Sequence, residues 1–523
     1  MTCPTGLLGN AGPRAAGLRA RYRAAGHWSQ QSLDLVHDTA ARHPERIALI
    51  DRGEQISFAE LDGRIDRICR ELTGAGAAPG SAVVVVAGND VDSVAAVHAV
   101  QRCDAVVLLV PRSAGAAQIA QIIDRTGASF GLAPNWPTAA EELATRCRWI
   151  ASSEGDSFRA PAPHRPHRPA DEPSFVLYTS GTTAEPKGVV HSLSTLHKAS
   201  ANYIAAAGLG PADRIFLISP LASVTGVVQA LFIGPMLAAP IVLEDRWDPA
   251  GTCDFLLSSG ATWYGGPDRL LDRLLDEAVA RESPVPLRAV YLGGTMLDPR
   301  IVERVEDDFG IVVMRAYGSS EVPVSTSGQR TDARQVRHAD DGVPLADVEV
   351  RLGSSGDSAE CCIRGPHTFL GYTDPAADDN AFDGEWFRTG DVAEVDGGRV
   401  RIVGRIKDIV IRNGMKIPAA EVEQAVAAIA GVGECAAYSV PDATTGERLA
   451  LALVLDGDAE LSLAELTAAL VSAGLPKYKL PEELVFWDQP LPVNANGKVA
   501  RNRLHEHAAG RPRVVADRLV AAD

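Results

Sequence analysis

Tyr178-Thr179-Ser180-Gly181-Thr182-Thr183-Ala184-Glu185-Pro186-Lys187 is the stretch whose reading decides the fold. It follows Ser174-Phe175-Val176-Leu177, a short apolar run suited to a buried strand, and precedes Gly188-Val189-Val190-His191, which reads as another. Four hydroxyl side chains, Thr179, Ser180, Thr182 and Thr183, therefore share a loop between strands with Gly181, and Lys187 closes it. Hydroxyls and backbone N–H groups donate to phosphate oxygens, glycine lets the chain come close, and lysine supplies a point charge. This is chemistry suited to a polyphosphate; a Ser/Thr-rich surface turn is the blander alternative. In the Walker arrangement the lysine is followed by Ser or Thr and a helix, whereas here Gly188 and a β-rich run follow.

Outward from this loop, the chain reads as a layered α/β protein. Ser32 to Ala41 has helical spacing, Ile47 to Ile50 and Ala82 to Ala87 read as strands, Ser93 to Val100 as a helix and Val106 to Val110 as a further strand. At 523 residues the chain exceeds one core, so two or more domains are expected. The balance of 50 Lys+Arg against 67 Asp+Glu, net −17, argues against a nucleic-acid partner. No apolar run reaches the length of a membrane span. The eight cysteines are scattered without metal-ligand spacing and read as reduced, mostly buried thiols of a cytoplasmic protein. Arg14, Arg19, Arg21 and Arg23 read as a solvated helix, and the Pro- and His-rich run from Glu154 to Pro173 as a flexible exposed connector.

Further blocks raise the phosphate-loop reading to a resemblance. Ala316-Tyr317-Gly318-Ser319-Ser320-Glu321 follows a predicted buried strand, Ile311 to Met314, and so occupies a strand's C-terminal end, where α/β ligand sites are built. Trp386-Phe387-Arg388-Thr389-Gly390-Asp391, Gly404-Arg405-Ile406-Lys407-Asp408 and Pro492-Val493-Asn494-Ala495-Asn496-Gly497-Lys498 follow in order. With Thr179 to Lys187 these resemble the blocks of the adenylate-forming superfamily, which holds acyl-CoA synthetases, peptide-synthetase adenylation domains and firefly-type luciferases. The likeness covers roughly residues 30 to 505 and is greatest to carboxylic acid:CoA ligases.

The resemblance implies a large layered N-terminal domain over residues 1–404 and a small mobile α+β lid over 405–523, hinged near Lys407. It implies a nucleotide site of Thr179, Ser180, Gly181, Thr182, Thr183, Lys187, Tyr317, Ser320, Asp391, Arg405 and Lys498. There the aromatic ring stacks on adenine, Asp391 binds the ribose hydroxyls, Glu321 binds Mg²⁺, and Lys498 acts with Glu321 and Lys187 as the catalytic set. ATP, Mg²⁺ and CoA are the implied cofactors. The implied reaction is activation of a carboxylic acid to an acyl adenylate and transfer to a thiol. That thiol belongs either to CoA or to a carrier protein's pantetheine, with the protein a monomer or homodimer; release of acyl-AMP to a partner enzyme is a further alternative. Retention of Lys187, Glu321, Asp391, Arg405 and Lys498 together argues against a non-catalytic nucleotide-binding relative.

By analogy, Ser223, Val224, Gly226, Trp263, Tyr264, Gly265, Gly266, Gly293, Gly294 and Thr295 line the acyl pocket. Leu221 to Gly226 holds no aspartate to meet a substrate ammonium, which favours an acid without an amine, and the glycines are expected to leave room for a bulky apolar one. Trp263 and Tyr264 are read either as pocket walls or as ordinary core. Asn413-Gly414 stands where Gly-Gly is commoner, which weakens the expectation for the thiol step.

Overall fold

The computed structural model describes residues 7, 12–135, 143–150, 166–179, 187–293, 297–457, 459–493 and 499–520. Two large sheets dominate the N-terminal part. The first is seven-stranded, in the order Gly371–Tyr372, Lys187–Ser192, Pro173–Thr179, Val106–Pro111, Ala82–Ala87, Phe130–Leu132 and Arg148–Ile150. Its members from Pro173–Thr179 to Arg148–Ile150 run parallel, while Lys187–Ser192 turns back antiparallel on Pro173–Thr179. The second sheet has nine strands, with Val312–Tyr317, Ala289–Gly293, Trp263–Gly266, Ile215–Leu217, Ile241–Leu243 and Ile47–Ile50 parallel in its centre.

Burial on both faces explains the all-apolar strands. In Ala82–Ala87 every residue is buried: Val83 and Val85 face the core between the sheets, Val84 and Val86 a second core under the helix Ala116–Thr126. Between the sheets lie the helices Val91–Arg102 and Leu193–Ala207 and a π-helix, Val227–Ile233. The outer face of the nine-stranded sheet is covered by Pro249–Ser259, Asp268–Ala280 and Pro299–Asp307. The result is five alternating layers of helix and sheet.

A five-stranded sheet follows, built on Glu349–Leu352, Glu360–Arg364, Trp386–Asp396 and Phe382–Asp383, with Arg399–Arg405 paired to Trp386–Asp396. The chain leaves that sheet at Arg405, makes one 3₁₀ turn over Ile406–Asp408, and enters a last, six-stranded sheet at Ile409. This smaller α+β unit packs the helices Ala419–Ala427 and Leu463–Ser472 on one face and Arg501–His507 on the other. Its first hairpin turns at Asn413 and Gly414, with φ of 51° and 75°. Asparagine tolerates the left-handed region, so Asn-Gly makes the turn that Gly-Gly would make.

Three expectations are corrected. Cys69 and Cys103 are joined, with Cα atoms 5.9 Å apart, where the end of the helix Val91–Arg102 meets the packed helix Phe58–Gly74; positions 34 residues apart carry no spacing signal for such a pair. The arginine-rich helix Gly12–Ala24 is docked rather than solvated: Ala15, Leu18 and Tyr22 are buried with Trp28 and Leu370, and Arg14, Arg21 and Arg23 pair with Asp378, Glu385 and Asp171. At the end of the Pro-rich connector the backbone N–H groups of His167 and Arg168 donate to the Asp104 carboxylate at 3.0 and 2.9 Å, so that end is tied down.

Candidate functional site

The strand Val312–Tyr317 delivers Tyr317 to the C-terminal end of the nine-stranded sheet, and the chain folds straight back, Ala316 and Tyr317 pairing with Ser327 and Thr326. A Cβ on Gly318 would meet Val324 N at 2.4 Å, so the tight return admits only glycine there. On this turn the Glu321 carboxylate is held at both oxygens: the Tyr372 hydroxyl donates to Oε1 at 2.7 Å and the Ser319 hydroxyl to Oε2 at 2.8 Å. Buried His191 donates from Nε2 to the Ser320 carbonyl at 2.7 Å, which fixes that ring's tautomer. Burial lowers its pKa to about 4, so the imidazole is neutral.

Tyr372 lies on the short strand beside Lys187–Ser192, and the Lys187 ammonium sits 5.3 Å from the centre of its ring. One aromatic side chain thus touches both the lysine that closes the phosphate loop and the carboxylate of the Tyr-Gly block. The Tyr317 hydroxyl donates to Asp391 Oδ2 at 2.6 Å, while Arg405 Nε lies 3.1 Å from Oδ1. Burial first, then the Asp391 charge, holds the Tyr317 phenol well above its ordinary pKa, so it remains a donor. Asp391 is only 5% exposed, yet half of the Arg405 side chain meets solvent.

Tyr317, Ser320, Glu321, Asp391, Arg405 and Lys187 are therefore brought together in two linked groups. Lys407 occupies the 3₁₀ turn between the sheets, its pKa lowered by burial. Ser180, Gly181, Thr182, Thr183, Gly294, Thr295 and Lys498, and the side chain of Thr179, lie outside the described residues. Sequence reasoning passed over Tyr372 and His191 as site residues, and nothing in the spacing of Tyr372 signalled a partner 51 residues away.

The expected acyl pocket needs correction. Side chains alternate along Trp263–Gly266, so Trp263 faces the core between the sheets and Tyr264 the opposite face, where its hydroxyl donates to the Pro267 carbonyl. The two cannot wall one pocket. Along the missing Cβ direction of four of these glycines, protein atoms stand close. A Cβ on Gly226 would meet the Pro220 carbonyl at 2.2 Å, on Gly293 the Ala316 carbonyl at 2.4 Å, on Gly266 the Tyr264 hydroxyl at 2.9 Å, and on Gly265 the Tyr203 hydroxyl at 2.5 Å. The Ser223 hydroxyl is spent as a cap, accepting from Gly226 N and donating to the Pro220 carbonyl. Val224 is half-buried on the short helix that follows. Two polar side chains not singled out from sequence stand beside Gly265: Tyr203, which accepts from Trp263 Nε1 at 3.0 Å, and fully buried Gln229, which donates to the Gly265 carbonyl at 3.0 Å.

Among the described residues no group of three or more His, Cys, Asp or Glu could hold a metal, and no helix is long and apolar enough to cross a membrane. Glu321 is a carboxylate whose described neighbours, Tyr372 and Ser319, bring hydroxyl oxygens. That donor set fits a hard cation such as Mg²⁺ that takes most of its ligands from phosphate and water.

A family model described as AMP-binding enzyme matches residues 36–373, and one described as AMP-binding enzyme C-terminal domain matches residues 421–498. The chain is 30% identical to triostin synthetase I of Streptomyces triostinicus, over 95% of this chain and 98% of that protein. It is 26% identical to a salicylyl-CoA synthase / salicylate adenylyltransferase of a Streptomyces species, over 94% and 96%. Among solved structures, o-succinylbenzoate CoA synthetase of Bacillus subtilis with its acyl-adenylate intermediate superposes with a TM-score of 0.82 at 24% identity, covering 91% of this chain and 98% of that one, a likeness of fold.

Proposed function

The chain belongs to the AMP-binding enzyme family, and from that premise we propose that it activates a carboxylic acid with ATP and passes the acyl group to a thiol, that of CoA in the first instance. The observation that supports this reading is the pair of contact groups just described, Tyr317–Asp391–Arg405 and Lys187–Tyr372–Glu321, which join residues of separate sequence blocks.

In this reading a carboxylate oxygen of the acid attacks the α-phosphorus of ATP, the bond to the β-phosphate oxygen breaks, and acyl-AMP and pyrophosphate result. Mg²⁺, when bound, neutralises phosphate charge. Glu321 holds it, prealigned by Tyr372 and Ser319, and Lys187 adds a fixed positive charge beside the phosphates. Tyr317 stacks on adenine, and Asp391 accepts from the ribose hydroxyls. Lys498 joins from the smaller domain as charge develops on the α-phosphate. A turn about Lys407 then withdraws Lys498 and admits the thiol, whose sulfur displaces AMP.

The acid lacks an amine in this reading, because Leu221 to Gly226 offers no counter-charge for one. A panel of carboxylic acids, read by pyrophosphate release with and without CoA, tests both halves. Release dependent on an acid supports adenylation, and disappearance of acyl-AMP only when CoA is added supports the thioester step. No release with any acid overturns the reading, and adenylation without CoA turnover points to a carrier-protein pantetheine as acceptor.

A further inference from the structure

We propose that the N-terminal helix Gly12–Ala24, which precedes the matched residues 36–373, positions the Glu321 carboxylate through Arg14, Asp378 and Tyr372. This rests on the reading of Glu321 as the Mg²⁺ ligand.

Tyr372 makes three separate contacts. Its hydroxyl donates to Glu321 Oε1 at 2.7 Å, its ring lies under the Lys187 ammonium, and its backbone N–H donates to Asp378 Oδ1 at 3.1 Å. The Asp378 carboxylate in turn accepts Arg14 Nη2 at both oxygens, at 2.8 and 2.7 Å. The Arg14 guanidinium also lies 3.6 Å from the centre of the Phe382 ring, so it is gripped from two sides. Trp28 Nε1 donates to the Pro366 carbonyl at 2.8 Å, and Leu18, Tyr22 and Trp28 are buried against Leu370. The segment from Pro366 to Phe382, which carries Tyr372, is thus clamped from outside by residues 14 to 28.

At the inner end, the hydroxyl is the atom that matters. The Tyr372 ring packs against Phe369 at 4.9 Å, a contact a phenylalanine would make equally well. The hydroxyl does something the ring cannot: with Ser319 on the other oxygen it stops the carboxylate from rotating, and each oxygen keeps a lone pair for a cation. A carboxylate oxygen accepts, so the phenol is the donor in this pair. Removing it leaves the charge in place and lets its direction drift.

The test uses the full chain and binding of a fluorescent ATP analogue, with a Mg²⁺ titration and a parallel measurement in EDTA. Tyr372→Phe should raise the Mg²⁺ needed for tight binding about tenfold, as loss of a group supporting a metal ligand does. Binding in EDTA and the melting temperature should stay as in the parent. Arg14→Ala should shift the Mg²⁺ titration the same way by a smaller factor, with partial recovery in Arg14→Lys. A parental titration in Tyr372→Phe overturns the relay. An impaired Tyr372→Phe beside a parental Arg14→Ala overturns the role of the helix, and equal losses with Mg²⁺ and in EDTA show a purely structural contact and overturn it also. If the parent protein gains no affinity from Mg²⁺, the reading of Glu321 itself fails and takes the relay with it.

Discussion

The hydroxyl of Tyr317 donates to Asp391 at 2.6 Å across 74 residues of sequence, from the C-terminal end of a strand in one sheet to a strand of another. Arg405 closes on the same carboxylate at 3.1 Å. A nearly buried charge is thereby kept solvated by two donors of opposite origin, one in the core and one at the exit from the larger domain.

Asp391→Asn removes that charge and one acceptor for the ribose hydroxyls. The KM for ATP in acid-dependent pyrophosphate exchange should rise about tenfold or more, the scale of one charge-assisted hydrogen bond, with kcat less affected. Tyr317→Phe keeps the ring and should show a smaller rise. An unchanged KM in Asp391→Asn would remove this residue from the nucleotide site.

Lys498→Ala should abolish pyrophosphate exchange yet leave conversion of supplied acyl-AMP and CoA largely intact, because the proposed lysine acts only on the first half-reaction. Lys407→Pro, placed in the 3₁₀ turn between the sheets, should do the reverse, sparing adenylation and slowing thioester formation. Equal loss of both half-reactions in either variant contradicts the two-state scheme.

Stability should fall on mild acidification. Burial lowers the pKa of His98 and His191 to about 4 and of His367 to about 3, from 6.5 in an open chain. In the intervening window the unfolded chain binds more protons, so stability is complete above pH 6.5 and drains as pH falls through it towards 4. Thermal melts between pH 7.5 and 5 should show a Tm decline that begins before ordinary carboxylates titrate. A flat profile there would show that these rings are solvated.

Arg102 is 1% exposed and pairs with Asp34, Asp62 and Asp66, its three anchors lying at 2.6 to 2.8 Å. Arg102→Met leaves three partly buried carboxylates facing one another and should cost about 3–5 kcal/mol, as removal of one partner of a buried ion network does. Denaturant unfolding gives the value; a loss under 1 kcal/mol would mean that water replaces the arginine.

The layered frame was legible because both-face burial writes itself as unbroken apolar runs, as in Ala82–Ala87, and the helical reading of Ser93 to Val100 falls within the helix Val91–Arg102. The Tyr317 and Asp391 blocks were singled out through the family resemblance, and Asn413-Gly414 was read only as a departure from it, where the structure makes a hairpin turn. What escaped notice is relational. Tyr372 lies beside Glu321, Cys69 beside Cys103, and Arg14 beside Asp378 at a separation of 364 residues, and periodicity says nothing about such meetings. Glycines misled in one place, since an absent Cβ at Gly265 or Gly226 signals close approach and cannot say whether a ligand or the protein approaches.

The docking of Gly12–Ala24 bears on how the enzyme should be handled. Boundaries drawn from the family model begin at residue 36 and would discard a helix that grips Asp378, Glu385 and Asp171. A trimmed version would leave Leu370 uncovered and Asp378 without its guanidinium, so weak activity in such a version would speak of a lost brace rather than of a poor catalyst.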